Sequence, residues 1–291
     1  MSIDLLQERI RKMKNPAVLD FSILPEHIPS HIRIGKAPED AYAQFCLELM
    51  EGLKEIIPAV RFSFGHLALM GQRGLDVLSE LLGAAREMEY YILLDSSEIL
   101  TPWSADRAAD AFLGENSRFM CDGLILSPYI GTDGIKPFLP YCREGNRDVF
   151  FAVRTPNKSA SDLQDLLTGA RHVYTAAADL ISRYGENMIG RSGYSNVCVL
   201  ASAGSASSLT ELRTKYKRLF VLVDGYDYPS GNAKNCSLAF DRLGHGAVVC
   251  AGPSITAAWF DAETDGTDFV EQAVQASQRM KKNLSRYVSI V

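Results

Sequence analysis

The sequence is poor in histidine and tryptophan, with five and two residues, and it has no surplus of positive charge. Thirty basic side chains against 35 acidic ones leave a net charge of −5. Such a chain lacks the electrostatic footprint of a nucleic-acid or membrane-surface binder, so neither partner is expected. No run reaches the ~18 consecutive apolar residues of a membrane span. The stretch from Met1 to Lys14 is amphipathic and charged, without the apolar core of a secretion signal. The six cysteines (Cys46, Cys121, Cys142, Cys198, Cys236 and Cys250) include no CxxC pair, and several stand inside apolar runs. They read as buried thiols of a cytoplasmic protein, not as a disulfide or zinc framework. The histidines show no ligand spacing, so no metal is expected. Linker-like and low-complexity tracts are missing too. The remainder is ordinary: 47% hydrophobic residues, 22 glycines and 12 prolines over 291 residues, which fits a globular chain and excludes disorder or a collagen-like repeat.

Eight short apolar runs stand out: Ala17–Asp20, Ala59–Phe62, Tyr90–Asp95, Gly123–Ser127, Val149–Val153, Val197–Ala201, Leu219–Val223 and Ala247–Ala251. Most are continuous rather than alternating, as expected of parallel strands buried on both faces. Between them lie segments of helical period: Ala41–Ile56, Gly74–Glu89, Asp106–Leu113, Gly134–Tyr141, Leu163–Tyr184, Ser205–Lys217, Ala233–Leu243 and Phe269–Tyr287. Strand and helix alternating eight times predict an α/β fold, a single (βα)8 TIM barrel over residues 1–291. A doubly wound open sheet would need a glycine-rich turn after an early strand, and none is present.

In a barrel, function sits at the C-terminal strand ends. Those ends carry Asp20, Arg61, Asp95, Pro128–Asp133, Arg154–Asn157, Asp224–Gly231 and Gly252–Ser254. Charges directly after apolar runs are costly unless they are paired or open to a mouth. Asp20, Arg61 and Asp95 are therefore either a ligand site or an ion-pair network closing the barrel. His66, near Arg61, reads as a polar rim residue more readily than as an acid or base. Trp103 and Trp259 read as residues that fill space near the mouth.

These strand ends resemble the orotidine 5′-phosphate decarboxylase family in its longer bacterial subtype. Val18-Leu19-Asp20 with Leu24-Pro25 resembles the family's first strand, and Pro58-Ala59-Val60-Arg61-Phe62 its second, where a lysine normally stands at Arg61. Pro128-Tyr129-Ile130-Gly131-Thr132-Asp133, closing with Pro137-Phe138, matches the PYxGxD…PF motif without a mismatch. Arg154-Thr155-Pro156-Asn157 resembles RTSN, and Gly225-Tyr226 with Ala233-Lys234 brackets the seventh-strand loop. The resemblance covers nearly the whole chain. It implies decarboxylation of orotidine 5′-phosphate to UMP in de novo pyrimidine biosynthesis, no cofactor, and a homodimer with facing mouths. By resemblance, Asp95 and Arg61 are the catalytic candidates, while Asp20, Thr155, Asn157, Gly225 and Tyr226 are the substrate-binding ones. The implied ligand is a pyrimidine nucleotide or another small phosphate.

The chain departs from the family where the chemistry is. The family's catalytic lysine falls on Ser97, and the aspartate that reaches into the partner's site falls on Leu100. The phosphate-loop glutamine falls on Pro229, the phosphate-clamping arginine on Pro253, and the serine of RTSN on Pro156. Proline has neither a side-chain donor nor a backbone N–H, so each replacement deletes donors. Asp227 is expected near the phosphate position, where it repels an anion. No lysine occurs between Ile56 and Ser127, so no small alignment shift restores the catalytic pair. The expectation is a family member with the parent reaction lost or strongly impaired; the alternative is a lyase with a rearranged site or a different substrate.

Overall fold

The computed structural model describes residues 2–98, 101–144 and 146–291. Eight parallel strands form a closed barrel: β1 (Ala17–Asp20), β2 (Ala59–Ser63), β3 (Tyr91–Asp95), β4 (Gly123–Leu126), β5 (Asp148–Arg154), β6 (Val197–Ser202), β7 (Val221–Asp224) and β8 (Ala247–Ala251). Each pairs with its sequence neighbours, and β8 closes on β1 through Ala17↔Val249 and Leu19↔Ala251. The (βα)8 expectation therefore holds, with strand limits within two residues of those read from the apolar runs. No helix among the described residues is long and apolar enough to cross a membrane.

The two-residue period of a strand divides its side chains between two cores. Val18, Ala59, Leu93, Ile125, Phe150 and Leu222 point inward and fill the barrel lumen. Leu19, Val60, Leu94, Phe151, Val223 and Val249 point outward, under the helices. The covering layer includes α1 (Ser2–Met13), α2 (Pro38–Leu53), α3 (Gly71–Glu87), α4 (Pro102–Leu113), α5 (Val173–Gly185), α6 (Ala206–Lys215) and α7 (Phe269–Ser285). α1 differs from the rest. Its Ile3, Leu6 and Ile10 are fully buried and join the lumen core, so this helix plugs the N-terminal end of the barrel. It is fastened there by Asp4, which accepts from the backbone N–H groups of Arg191 and Ser192 at 3.1 and 2.8 Å.

Three predicted helices shrink. Pro137 and Pro140 break Gly134–Tyr141 into single turns followed by Leu139–Arg143. Of Leu163–Tyr184 only the second half is helical. The first half is a short turn and a hairpin, Leu167–Thr168 against Arg171–His172, folded about Gly169 at φ 66°. Ala233–Leu243 shortens to Ala233–Ser237.

At the plugged end, Asp148 opens β5 fully buried, and the Tyr91 hydroxyl donates to its Oδ2 at 2.5 Å. Burial pushes its carboxyl up to about 8, so at neutral pH it is mostly protonated. A raised acid stabilises the fold in its neutral form. That contribution is complete below the ordinary value of 3.8, declines as pH rises, and is gone above about 8. Asp148→Asn should therefore flatten the pH dependence of unfolding free energy between about pH 5 and 8, by up to ~1.4 kcal/mol per pH unit. Urea melts of both proteins across that range check it.

Candidate functional site

The inward period that fills the lumen also sets its last layer. Continuing from Val18, Ala59, Leu93, Leu222 and Val248, the next inward positions are Asp20, Arg61, Asp95, Asp224 and Cys250. Pairing places Asp20 beside Arg61 in register. The result is one charged layer across the C-terminal end of the lumen.

Arg61 is its hub. Nη1 lies 3.1 Å from Asp224 Oδ2, 3.6 Å from Asp20 Oδ2 and 3.5 Å from Cys250 Sγ, while Nη2 contacts Asp95 Oδ2. The guanidinium side chain is only 11% exposed. Burial works against its charge, but Asp224, Asp20 and Asp95 outweigh that penalty and hold it firmly protonated. For Asp20, burial dominates and pushes the carboxyl up to about 6; Arg61 pulls the other way, and Asp224 and Asp95 add to the rise. Asp20, Asp224 and Cys250 present ligand atoms within 4.8 Å of one another, close enough for a metal ion. Arg61 Nη1 already contacts all three groups and supplies the positive charge there.

The remaining oxygens are also engaged. Asp95 Oδ1 accepts from the Ser97 backbone N–H at 3.0 Å and from the Ser97 hydroxyl at 2.5 Å. Ser97 is thus a cap on Asp95. Asp20 Oδ1 is held by Ser22 in the same way, through N–H and hydroxyl at 3.2 and 3.0 Å. Asp227 reaches across the mouth to accept the Gly252 N–H at 2.5 Å. Burial raises the Asp227 carboxyl, opposed by the Ser254 hydroxyl and the Gly252 N–H. An internal carboxylate therefore occupies the backbone donor at the start of the Pro253–Thr256 turn.

Above the charged layer is a cavity of about 400 Å3, within the usual size of small-molecule sites. Asp20, Arg61, Asp224 and Asp227 line it together with Pro156, Tyr228, Pro229 and Pro253, and Arg61 is the one cation among its described lining residues. Gly225 also lines it, at φ 84°, and a Cβ there would sit 2.5 Å from Pro156 Cβ. Three expected binding residues stand elsewhere. The Thr155 hydroxyl bonds Asn157 Oδ1 at 2.6 Å and its N–H bonds Gln164 Oε1 at 2.8 Å, and neither Thr155 nor Asn157 lines the cavity. Tyr226 packs on the outer core. Leu100 lies outside the described residues.

Other expectations are corrected as well. His66 is not at the Arg61 rim of the mouth; its ring sits 5.7 Å from that of Tyr42, in a separate cavity. Trp259 does fill space, 7% exposed with its indole N–H on the His27 carbonyl, but Trp103 is 76% exposed. The residue that sequence reading missed is Cys250, although the same inward period that picks out Asp20 and Arg61 marks it; Asp224 reads as a strand end without its tie to Arg61, and Asp227 as a phosphate neighbour without its bond to Gly252.

Arg61→Met leaves three nearly buried carboxylates without their cation. Breaking a buried pair by removing one partner costs about 3–5 kcal/mol, and that loss is expected at about pH 7.5. Part of it should return as pH falls, beginning above the value of about 6 that Asp20 has with Arg61 present, because without the guanidinium its carboxyl is raised further. Denaturant midpoints at the two pH values check this.

No family model matches the chain. It is 28% identical over 291 residues to the orotidine 5′-phosphate decarboxylase of Clostridium acetobutylicum, covering 98% of this chain and 99% of that one. It is 29% identical over 290 residues to the enzyme of that name from Clostridium kluyveri, covering 98% and 97%. The solved Leishmania donovani OMP decarboxylase superposes with a TM-score of 0.71 at 22% identity, over 97% of this chain and 98% of that one, which establishes the shared fold. Together with the barrel and the strand-end motifs, these are end-to-end likenesses to orotidine 5′-phosphate decarboxylases.

Proposed function

We propose that this chain is an orotidine 5′-phosphate decarboxylase-like barrel whose parent reaction is lost or strongly impaired. The observation that carries this reading is the state of the mouth: its one cation is tied to three carboxylates, and Ser97 caps Asp95 where an ammonium would be needed. Decarboxylation develops negative charge at C6 of the pyrimidine, and an enzyme accelerates it by placing positive charge and a proton there. A serine hydroxyl is neutral and a very poor acid, and losing a placed general acid alone costs about 10²–10⁴ in rate. Arg61, with its three carboxylates, holds its proton too tightly to give it up.

Phosphate recognition is weakened for a separate reason. Pro229 and Pro253 offer no donors, and the Gly252 N–H is taken by Asp227. Charge-assisted hydrogen bonds are worth about 1.5–3 kcal/mol each, so losing two lowers affinity by about 10² or more. Asp20, Arg61 and Gly225, with Asp95 bound to Arg61, remain the residues through which a pyrimidine nucleotide or other small phosphate would be held; Thr155, Asn157 and Tyr226 stand away from the cavity.

The family's homodimer is carried over in the same proposal. Large apolar side chains stand exposed after several strands of the C-terminal face: Leu24, Ile34, Leu69, Trp103, Tyr129 and Phe260. Large apolar side chains left exposed at one end of the barrel support an interaction site there. The six buried free cysteines suit a cytoplasmic setting.

An ultraviolet assay of orotidine 5′-phosphate should show no loss of the orotate chromophore above background; turnover that disappears in Asp95→Ala would overturn the silent reading in favour of a rearranged lyase. UMP and uridine should shift the melting temperature alike, whereas a UMP preference of about 100-fold would restore the phosphate site. Light scattering should give a dimer mass, falling toward monomer in Trp103→Glu with Leu69→Asp.

A further inference from the structure

A second cavity lies outside the mouth, between the segment that follows β1, the first turn of α2, and the Phe64–Ala68 turn after β2. Its volume is about 270 Å3, below the ~300–1,000 Å3 of drug-sized pockets, so it excludes a nucleotide. Ile23, Ile28, Ala41 and Met70 make its walls apolar. Tyr42 lines it too, but its hydroxyl is committed to the Phe21 carbonyl at 2.8 Å.

His66 is the polar group left over. Its backbone N–H caps onto Ser63, and its ring lies beside Tyr42, yet its Nε2 is buried with no hydrogen-bond partner. Burial also disfavours the charged imidazole, leaving a neutral ring with one N–H to give. Two cations, Arg33 and Lys36, stand at the lip. The Lys36 ammonium donates to the Gln44 amide oxygen, and no carboxylate pairs with either cation among the described residues.

We propose that this cavity binds a small apolar carboxylate, an aryl or short alkyl acid. Its apolar body packs among Ile23, Ile28, Ala41 and Met70, and its carboxylate meets Arg33 and Lys36. A planar carboxylate matches the fork of a guanidinium. Two unneutralised cations favour an anion over a neutral or cationic guest, and the small volume favours one compact acid group on a short body. Polar contact with the ligand also supplies the partner that His66 Nε2 lacks. The site is independent of the reading of the barrel mouth, because none of its lining residues belongs to the charged layer around Arg61.

The probe is phenylacetate on the intact protein, with phenylacetamide as its neutral isostere, read through NMR signals of the five histidines. Phenylacetate is expected to shift the His66 ring signals saturably and to bind at least about tenfold more tightly than the amide. Arg33→Gln with Lys36→Gln, both at exposed positions, should bring the acid down to the level of the amide while the unfolding midpoint stays put. Equal binding of acid and amide, an unmoved His66 signal at saturation, or an acid preference that survives the double substitution would each overturn the proposal.

Discussion

A guanidinium held among three carboxylates governs the upper half of this barrel. Arg61 stands where the lumen stops being apolar, and each carboxylate it binds comes from a different strand. Asp20, Asp95 and Asp224 close the barrel electrostatically just as α1 closes its other end with Ile3, Leu6 and Ile10. Buried charges of this kind are tolerated when each is paired and hydrogen-bonded. Here Ser22 and Ser97 satisfy the outer oxygens of two of the acids. The neutral, short serines make the network self-sufficient, whereas a lysine in its midst would have competed with Arg61 for the same oxygens.

The barrel was legible because its strands are nearly continuous apolar runs with charged ends. Asp20, Arg61 and Asp95 were legible for the same reason. Other parts were hidden by interactions that have no local pattern. The hold of Asp224 on Arg61 and the reach of Asp227 to Gly252 join segments far apart in the chain. The hairpin after β5 was hidden differently: Leu163, Leu166 and Leu167 fit a helical period, yet all three are exposed and the backbone turns at Gly169. Tyr226 follows a strand end, but it packs on the outer core and does not line the cavity. His66 was placed near Arg61 by sequence proximity, while the turn that follows β2 swings it to the outer side.

Three prolines act together at the mouth. Pro156, Pro229 and Pro253 sit around one cavity, where none offers an N–H donor and each adds rigid apolar surface. Gly225 must remain glycine because Pro156 now fills the space its side chain would need. The mouth is thus packed as a unit, while the barrel framework around it stays intact.

Closure of β8 on β1 also fixes when the lumen core can form. Ala17 pairs with Val249, so the first strand waits unpaired on one side until nearly the whole chain has been made. Pairings across such sequence separation are slow to form because loop-closure entropy precedes their reward. On the ribosome, the earlier strands emerge with one sheet edge still open. That interval exposes the edges of β1 and its neighbours to other nascent chains, so the hazard this barrel faces in the cell lies in synthesis, before its ring is complete.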